Sequence, residues 1–361
     1  MRTVFTLIIF FFSLISISQV DPVITGMLPA LIDEASGLQC GSPDICWTFN
    51  DSEDGSRLYE ISSGGLFSSQ VIMQGASQMD YEDIARASDG RFFIGDFGNN
   101  NNDRDDLKIY ITGDLDTSSS SSVSVETIEF TLADQSQFPP QDQNLNFDIE
   151  AMIHHEDSLY LFTRNRTEPY NGWTKFYKLP DSPGTYEAVL VDSIFGNLSS
   201  TFSSVTGADI NPTTDRIALL TNGSLYILTG FEDGLDQADI DYNFFSFNSS
   251  FEGISFIDQC TVLLVEEGDP AMIYSINTCN IVSDLDEEAD TGQFQIILRN
   301  RILTFLGIQG FPAIRILDSL GREVLSSQGS SELSLSTLTA GVYIVQVATS
   351  NSHSSMMFSL Q

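Results

Sequence analysis

Three glutamates open similar segments of this chain: Glu82-Asp83-Ile84, Glu150-Ala151-Met152 and Glu252-Gly253-Ile254. Ser36-Gly37-Leu38 and Thr206-Gly207-Ala208 stand in corresponding places. If these segments are strands set around one axis, Glu82, Glu150 and Glu252 converge at one mouth. Carboxylates that close cannot all stay ionised without a cation or raised pKa values. Calcium suits such a place, because it accepts about six to eight oxygens in flexible geometry. The ends of the strands that follow could add Asp51, Asp96, Asn165 and Glu266 as ligands. The competing reading needs no metal: the acids cap turns and accept hydrogen bonds from backbone amides of the neighbouring repeat.

Other chemistry has less support. The segment from Gly95 to Asp106 (GDFGNNNNDRDD) is the densest polar stretch, but Asp and Asn are also common turn formers. It lacks the glutamate that ends an EF-hand loop, so it reads as a loop first and a ligand site second. His154 and His155 fall on a turn, His-His-Glu-Asp, where a solvated role is expected, and His353 lies near the C-terminus. There is no Gly-x-Ser-x-Gly elbow, HExxH or phosphate-cradling glycine loop. Four cysteines point to two disulfides if the chain leaves the reducing cytosol. Cys40 and Cys46 flank a short turn, and Cys260 and Cys279 bracket two apolar runs that form a hairpin, so local pairing is the expected connectivity. Zinc would want tighter spacing and histidines.

The elements that must position these residues are strands. Helical periodicity is nearly absent, and short Val, Ile, Phe and Tyr runs alternate with Asp-Gly, Asn-Gly and Ser clusters. After each opening comes a second strand, ICWTFND, RFFIGDF, SLYLFTRN, RIALLTN and TVLLVEE. A third carries a central aromatic, in RLYEI, LKIYI, TKFYKL, SLYIL and AMIYSI. Weaker fourth strands follow in SSQVIMQ, VETIEFTL, YEAVLVDSI and NFFSFN, and four strands per unit is the make-up of a propeller blade. The fifth unit lacks a fourth strand, and PVITGML (22–28) can supply it and close the ring. Five blades are expected, with six as the alternative if the segment between Thr112 and Asn146 hides another; a β-sandwich of unrelated hairpins leaves the recurring acidic turn unexplained. Glu34 to Leu38, Tyr81 to Ala85, and Ile94 to Asn100 with Arg104 following resemble motifs of a group of bacterial propeller proteins. The resemblance implies architecture rather than activity.

Past the acidic run SDLDEEADT the composition changes to seven short strands. Ile314 to Val324 (IRILDSLGREV) and Leu335 to Val345 (LSTLTAGVYIV) resemble the C-terminal sorting domain of the type IX secretion system, a small β-sandwich. The resemblance implies recognition by that machinery, passage through the periplasm, and a secreted or outer-surface destination. The usual Pro-Asn-Pro opening is missing, and the last strand, SMMFSLQ, lacks the customary lysines. At the other end, Arg2, the apolar run from Val4 to Ile17 and the small residues Ser16 and Ser18 form a signal peptide pattern. The expected division is a signal peptide over 1–18, an all-β propeller over 19–285, an acidic linker over 286–293 and the sorting domain over 294–361.

Net charge is −35 with three lysines, Lys108, Lys175 and Lys178. That surface repels nucleic acid and anionic lipid and favours cations. No stretch after the signal is apolar enough to span a bilayer. Two functions fit: a binding module presenting loops to an extracellular glycan, polymer or protein that the sequence does not name, which is favoured, or a calcium-dependent hydrolase of an ester, lactone or phosphoester at the channel mouth. The exported chain is expected to begin at Gln19. Intact-mass measurement of protein recovered from culture medium checks this, and a mass retaining the first eighteen residues overturns it.

Overall fold

The computed structural model describes residues 16–42, 44–231, 238–279 and, further on, 295–299, 302–306, 313–318, 322–329, 332–338, 341–348 and 353–360. The signal peptide expected over 1–18 lies outside them up to residue 15, and the linker expected over 286–293 lies outside them entirely.

The described residues form a five-bladed β-propeller and a small separate pair of sheets. From the axis outward, blade one is Ala35–Ser42, Ile45–Asn50, Arg57–Ile61 and Phe67–Gln74. Blade two is Tyr81–Arg86, Phe92–Asp96, Leu107–Thr112 and Glu126–Leu132, and blade three is Asp148–His155, Ser158–Arg164, Trp173–Pro180 and Gly184–Phe195. Blade four is Val205–Ile210, Ile217–Thr221, Ser224–Thr229 and Asp239–Phe244. Blade five takes three strands from Phe251–Phe256, Thr261–Glu266 and Met272–Asn277; its fourth is the N-terminal Val23–Met27, antiparallel to Met272–Asn277. Each inner strand neighbours the next, and that of blade five neighbours that of blade one, so the ring closes.

Closure explains the apolar runs. A blade inside a ring is covered on both faces, so its middle strands need not alternate in polarity. Five apolar layers result, one between each pair of blades. Phe93, Ile109 and Ile128 of blade two meet Met152, Leu161 and Tyr177 of blade three. Trp47, Phe49 and Leu58 of blade one meet Tyr81, Ile84 and Phe92 of blade two.

Each recurring turn is a β-bulge. The register of the inner hairpin shifts between Ser36 and Gln39, Tyr81 and Ile84, Ile149 and Ala151, Val205 and Gly207, and Phe251 and Gly253. An extra residue there re-aims its side chain out of the sheet's alternation, which is why the opening repeats as a unit. The third-strand tyrosines also recur for a physical reason: all five are buried, and each hydroxyl finds a polar partner. Tyr59 donates to Asp54 at 2.5 Å, Tyr177 to Asp134 at 2.7 Å, Tyr274 to Glu266 at 3.0 Å, and Tyr226 to the Phe202 carbonyl. Tyr110 meets the Ser77 hydroxyl at 2.9 Å.

Two expectations change. The segment after Thr112 holds no sixth blade: Ser122–Ser124 pairs in parallel with Phe67–Gln74, and Glu126–Leu132 is blade two's own fourth strand. That strand also pairs in parallel with Gly184–Phe195, joining blades two and three into one sheet of eight strands. Blade four's last strand is Asp239–Phe244 rather than NFFSFN, because Ile240, Tyr242 and Phe244 alternate onto the layer shared with blade three. Ser16–Gln19 adds in parallel to its outer edge.

Both disulfides are the local ones, Cys40–Cys46 and Cys260–Cys279, and no cysteine among the described residues is free. The C-terminal strands form a sheet of three, Gln295–Arg299, Ile302–Leu306 and Glu332–Ser334, and a sheet of four, Ala313–Asp318, Glu323–Gln328, Gly341–Ala348 and His353–Leu360. Leu303 from the first and Ile314, Ile316, Val345 and Val347 from the second share one core, which makes a β-sandwich. No helix among the described residues is long and apolar enough to cross a membrane. Replacing Cys260 and Cys279 together by serine is expected to cost on the order of 3 kcal/mol through the lost loop constraint. Thermal unfolding of the double variant checks this, and an unchanged melting temperature overturns it.

Candidate functional site

The bulges put Glu82, Glu150 and Glu252 at one mouth of the channel, around a cavity of ≈ 230 Å³. Glu34, Asp51, Asp80 and Glu267 line it as well, with Asn100, Arg164 and Arg166. Seven carboxylates therefore face two guanidiniums.

The guanidiniums are committed. Asp148 lies opposite Arg164 in the inner hairpin of blade three, Glu150 is the extra residue at that hairpin's bulge, and Arg166 lies just past the end of the second strand. Arg164 Nη1 lies 3.1 Å from Glu150 Oε2 and 3.6 Å from Glu252 Oε1. Arg166 donates from Nη2 to Glu150 Oε1 at 2.9 Å and from Nε to Asp148 Oδ2 at 2.7 Å, and it also donates to Asn100 Oδ1. Glu34, Asp51, Asp80, Glu82 and Glu267 take no part in those ion pairs. Burial, then Glu150 and Asp80, pushes the Glu82 carboxyl well above its usual range. Burial, then Asp148, raises Asp80 to about 6. Burial lifts Glu252 to about 7 against the pull of Arg164, and burial with Glu150 lifts Asp148 to about 8. Gly98 makes this proximity possible: a Cβ there would stand 2.2 Å from Glu82 Oε1 and 2.4 Å from Asp80 Oδ2.

Deeper in the channel, carboxylates serve the backbone. Asp83 is fully buried and accepts from the amides of Met152 at 2.7 Å, Ile84 at 2.8 Å and Ala208 at 3.3 Å, tying blade two to blades three and four. Asp209 accepts from the Phe256 amide at 2.7 Å and the Ile210 amide at 2.8 Å, and burial raises its carboxyl to about 7. Asp83 and Asp209, rather than Glu82, Glu150 or Glu252, thus accept from the backbone amides of neighbouring blades.

Of the seven residues expected as metal ligands, Glu82, Glu150, Glu252 and Asp51 line the cavity and Asp96, Asn165 and Glu266 do not. Asp96 accepts from the Met79 and Asp80 amides. Glu266 accepts from the Tyr274 hydroxyl at 3.0 Å and from Ser249. Asn165 accepts from Thr167 and donates to Asn171 Oδ1 and the Trp173 carbonyl, each at 2.6 Å. Strand-end positions next to a turn are taken up by that turn's amides and hydroxyls. No three His, Cys, Asp or Glu side chains among the described residues stand as a ready-made coordination cluster.

The Gly95–Asp106 segment is a latch between blades: the Asn99 amide donates to Asp148 Oδ1 at 2.7 Å, and Asn102 Oδ1 accepts from the Phe147 amide at 2.7 Å. His154 is not solvated. It is 8 % exposed, stacks on Phe93, and its Nε2 lies 3.1 Å from Asp181 Oδ2. The turn begins only at Glu156, so His154 and His155 both still belong to the strand, and His154 faces the interblade layer. Arg164 and Arg166 were missed in the sequence, although Arg-x-Arg at the end of a strand, in a chain with 15 basic residues, was a visible signal.

The raised carboxyls set a pH dependence. An ordinary carboxyl in the unfolded chain titrates near ~4, so between about pH 4 and 8 the folded state binds more protons and stability falls as pH rises. In EDTA the melting temperature is expected to decline from pH 5 to pH 8 and level off above it. A rise across that window contradicts the assignment.

Solved structures similar to the chain include the PQQ-bound aldose sugar dehydrogenase of Streptomyces coelicolor, at 10% identity over 70% of this chain and 96% of that one, with a TM-score of 0.42. Another is the α-L-arabinanase of Penicillium chrysogenum complexed with arabinobiose, at 8% identity over 73% and 100%, with a TM-score of 0.41. A streptogramin B lyase covers 95% of this chain and 87% of its own at 10% identity, with a TM-score of 0.34. No curated protein sequence matches the chain. Residues 291–359 match the family of the secretion system C-terminal sorting domain. The chain is a β-propeller protein that carries this type IX sorting domain and is delivered by it outside the cell or to the outer surface.

Proposed function

We propose that the propeller is a binding module that engages an extracellular partner, a glycan, polymer or protein, at the acidic channel mouth, with calcium held there. The observation that carries this reading is the charge imbalance in one small cavity. Both guanidiniums are taken by Asp148, Glu150 and Glu252, and Glu34, Asp51, Asp80, Glu82 and Glu267 remain. Asp51 Oδ1 is buried without a partner among the described residues. An orphaned carboxylate oxygen beside Asp80 and Glu82 is the donor set that a hard cation takes. Asp51, Asp80 and Glu82 would hold the ion, and Arg164 and Arg166 would keep Glu150 and Glu252 in place around it.

A second reading, a calcium-dependent hydrolase, draws on Asp80 and Glu252, whose carboxyls at about 6 and about 7 face the same cavity. Acids in that range can give and take protons near neutral pH.

Calorimetric titration of EDTA-treated protein with calcium chloride tests the proposal. Heat and a raised melting temperature are expected, stronger at pH 8 than at pH 6 because protons compete for the same oxygens. Glu82→Gln and Asp51→Asn are each expected to weaken binding tenfold or more. No heat and no thermal shift would sink the calcium site. Calcium-dependent turnover of an ester, lactone or phosphoester that disappears in Glu82→Gln would move the assignment to the hydrolase.

A further inference from the structure

A second cavity, of ≈ 580 Å³, lies on the flank of blade three, away from the channel. It differs from the mouth in charge. Its one cation and one anion, Lys175 and Asp134, pair with each other at 2.6 Å, and Lys175 Nζ rests 3.6 Å from the centre of the Phe147 ring. In a protein of net charge −35, this cavity is electrically balanced.

The rest of its lining has two kinds of surface. One is apolar and open: Trp173 is 43 % exposed, lies across from Phe195 in the sheet with ring centroids 5.4 Å apart, and is joined by exposed Leu190. The other is a row of uncharged amides, Gln137, Gln143, Asn144 and Asn171. Asn171 is fixed for donation, since its Oδ1 accepts from Asn165 Nδ2 at 2.6 Å and from the Trp173 amide at 3.2 Å. The side-chain amides of Gln137 and Asn144 have no hydrogen-bond partner among the described residues. A planar amide offers an acceptor and two donors side by side, which matches vicinal hydroxyls, and an indole face offers an apolar platform. The cavity's size falls within the usual range of small-ligand sites, about 300–1,000 Å³.

We propose that this groove is a binding site for a neutral carbohydrate chain, with one sugar ring stacked on Trp173 and its hydroxyls bonded by Asn144, Asn171 and Gln143. A charged polymer would leave its charges without a counterpart here, and a purely apolar ligand would strand the amides. The site stands independently of the channel mouth and of calcium.

The chain itself supplies the probe. It has two tryptophans, and Trp47 is 1 % exposed in the layer between blades one and two, so a ligand-induced change in fluorescence reports Trp173. The full exported chain is run in native gels containing a soluble β-glucan, an α-glucan, a mannan, a xylan or an arabinan, and titrated with oligosaccharides of whichever retards it. Retardation by at least one neutral polymer and a shift of Trp173 emission are expected. Trp173→Ala and Asn144→Ala should each weaken binding tenfold or more, with melting temperatures near the parent's, and added EDTA should leave it unchanged. Asn144 is exposed at the end of a short 3-10 helix outside the sheet, Asp142–Asn144, so its variant stays informative if Trp173→Ala disturbs the sheet. Absence of retardation and of a spectral shift across the panel overturns the proposal. So does unaltered binding in both variants, or binding confined to polygalacturonate, chitosan or a peptide.

Discussion

The structure depends on how five inner strands end their hydrogen bonding at the channel. Each pairs with a neighbour on one side only, so its other edge faces the axis with amides that need acceptors. Asp83 answers for Met152 and Ala208, Asp209 for Phe256, and the Ser255 hydroxyl for the Cys40 amide at 2.9 Å. Carboxylates suit the task because each has two oxygens and can accept from amides on more than one blade. The strands must also come close. A Cβ on Gly253 would lie 2.8 Å from the Gly37 carbonyl carbon, so blades five and one can approach this far only with glycine at the second position of the repeated turn. Polar, acidic character along the axis thus follows from closure itself.

That origin complicates any functional reading of acids with raised pKa. Burial is the leading cause that raises the carboxyls of Asp209 and Glu252 alike to about 7. Asp209 spends its oxygens on two amides and the Ser255 hydroxyl, which makes it part of the frame. Glu252 faces an open cavity and shares a guanidinium that Glu150 holds more closely. The identity of the partners, rather than the size of the shift, separates the two roles. By the same criterion Asp83 belongs to the frame, and Glu82, one residue earlier, belongs to the mouth.

The repeat was legible because it is driven by local chemistry: a bulge, a buried strand, and a strand carrying a tyrosine each leave a pattern of a few residues. Closure by Val23–Met27 could be read because one unit lacked a strand and one strand lacked a unit. The sorting domain was legible in its strand spacing, and its family match covers 291–359. What stayed hidden depended on partners far away in sequence. Asp148 meets Arg166 only because two strands pair, and Asp134 meets both Lys175 and Tyr177 across forty or more residues. His154 was misread because one strand residue more or less decides whether a side chain points to water or into a layer.

Blade three gathers most of the chemistry, and a single loop explains why. Asn165 receives hydrogen bonds from the Thr167 amide and hydroxyl, while its own amide reaches Asn171 and the Trp173 carbonyl. These bonds fold residues 165–173 into a compact turn with Arg166 at one end and Trp173 at the other. Arg166 reaches into the channel mouth and ties Glu150 to Asp148; Trp173 and Asn171 line the neutral groove. Expected as a ligand, Asn165 is instead the residue that sets two surfaces of opposite character on one short segment. The acidic cavity and the balanced groove thus each draw a side chain from the two ends of one hydrogen-bonded turn.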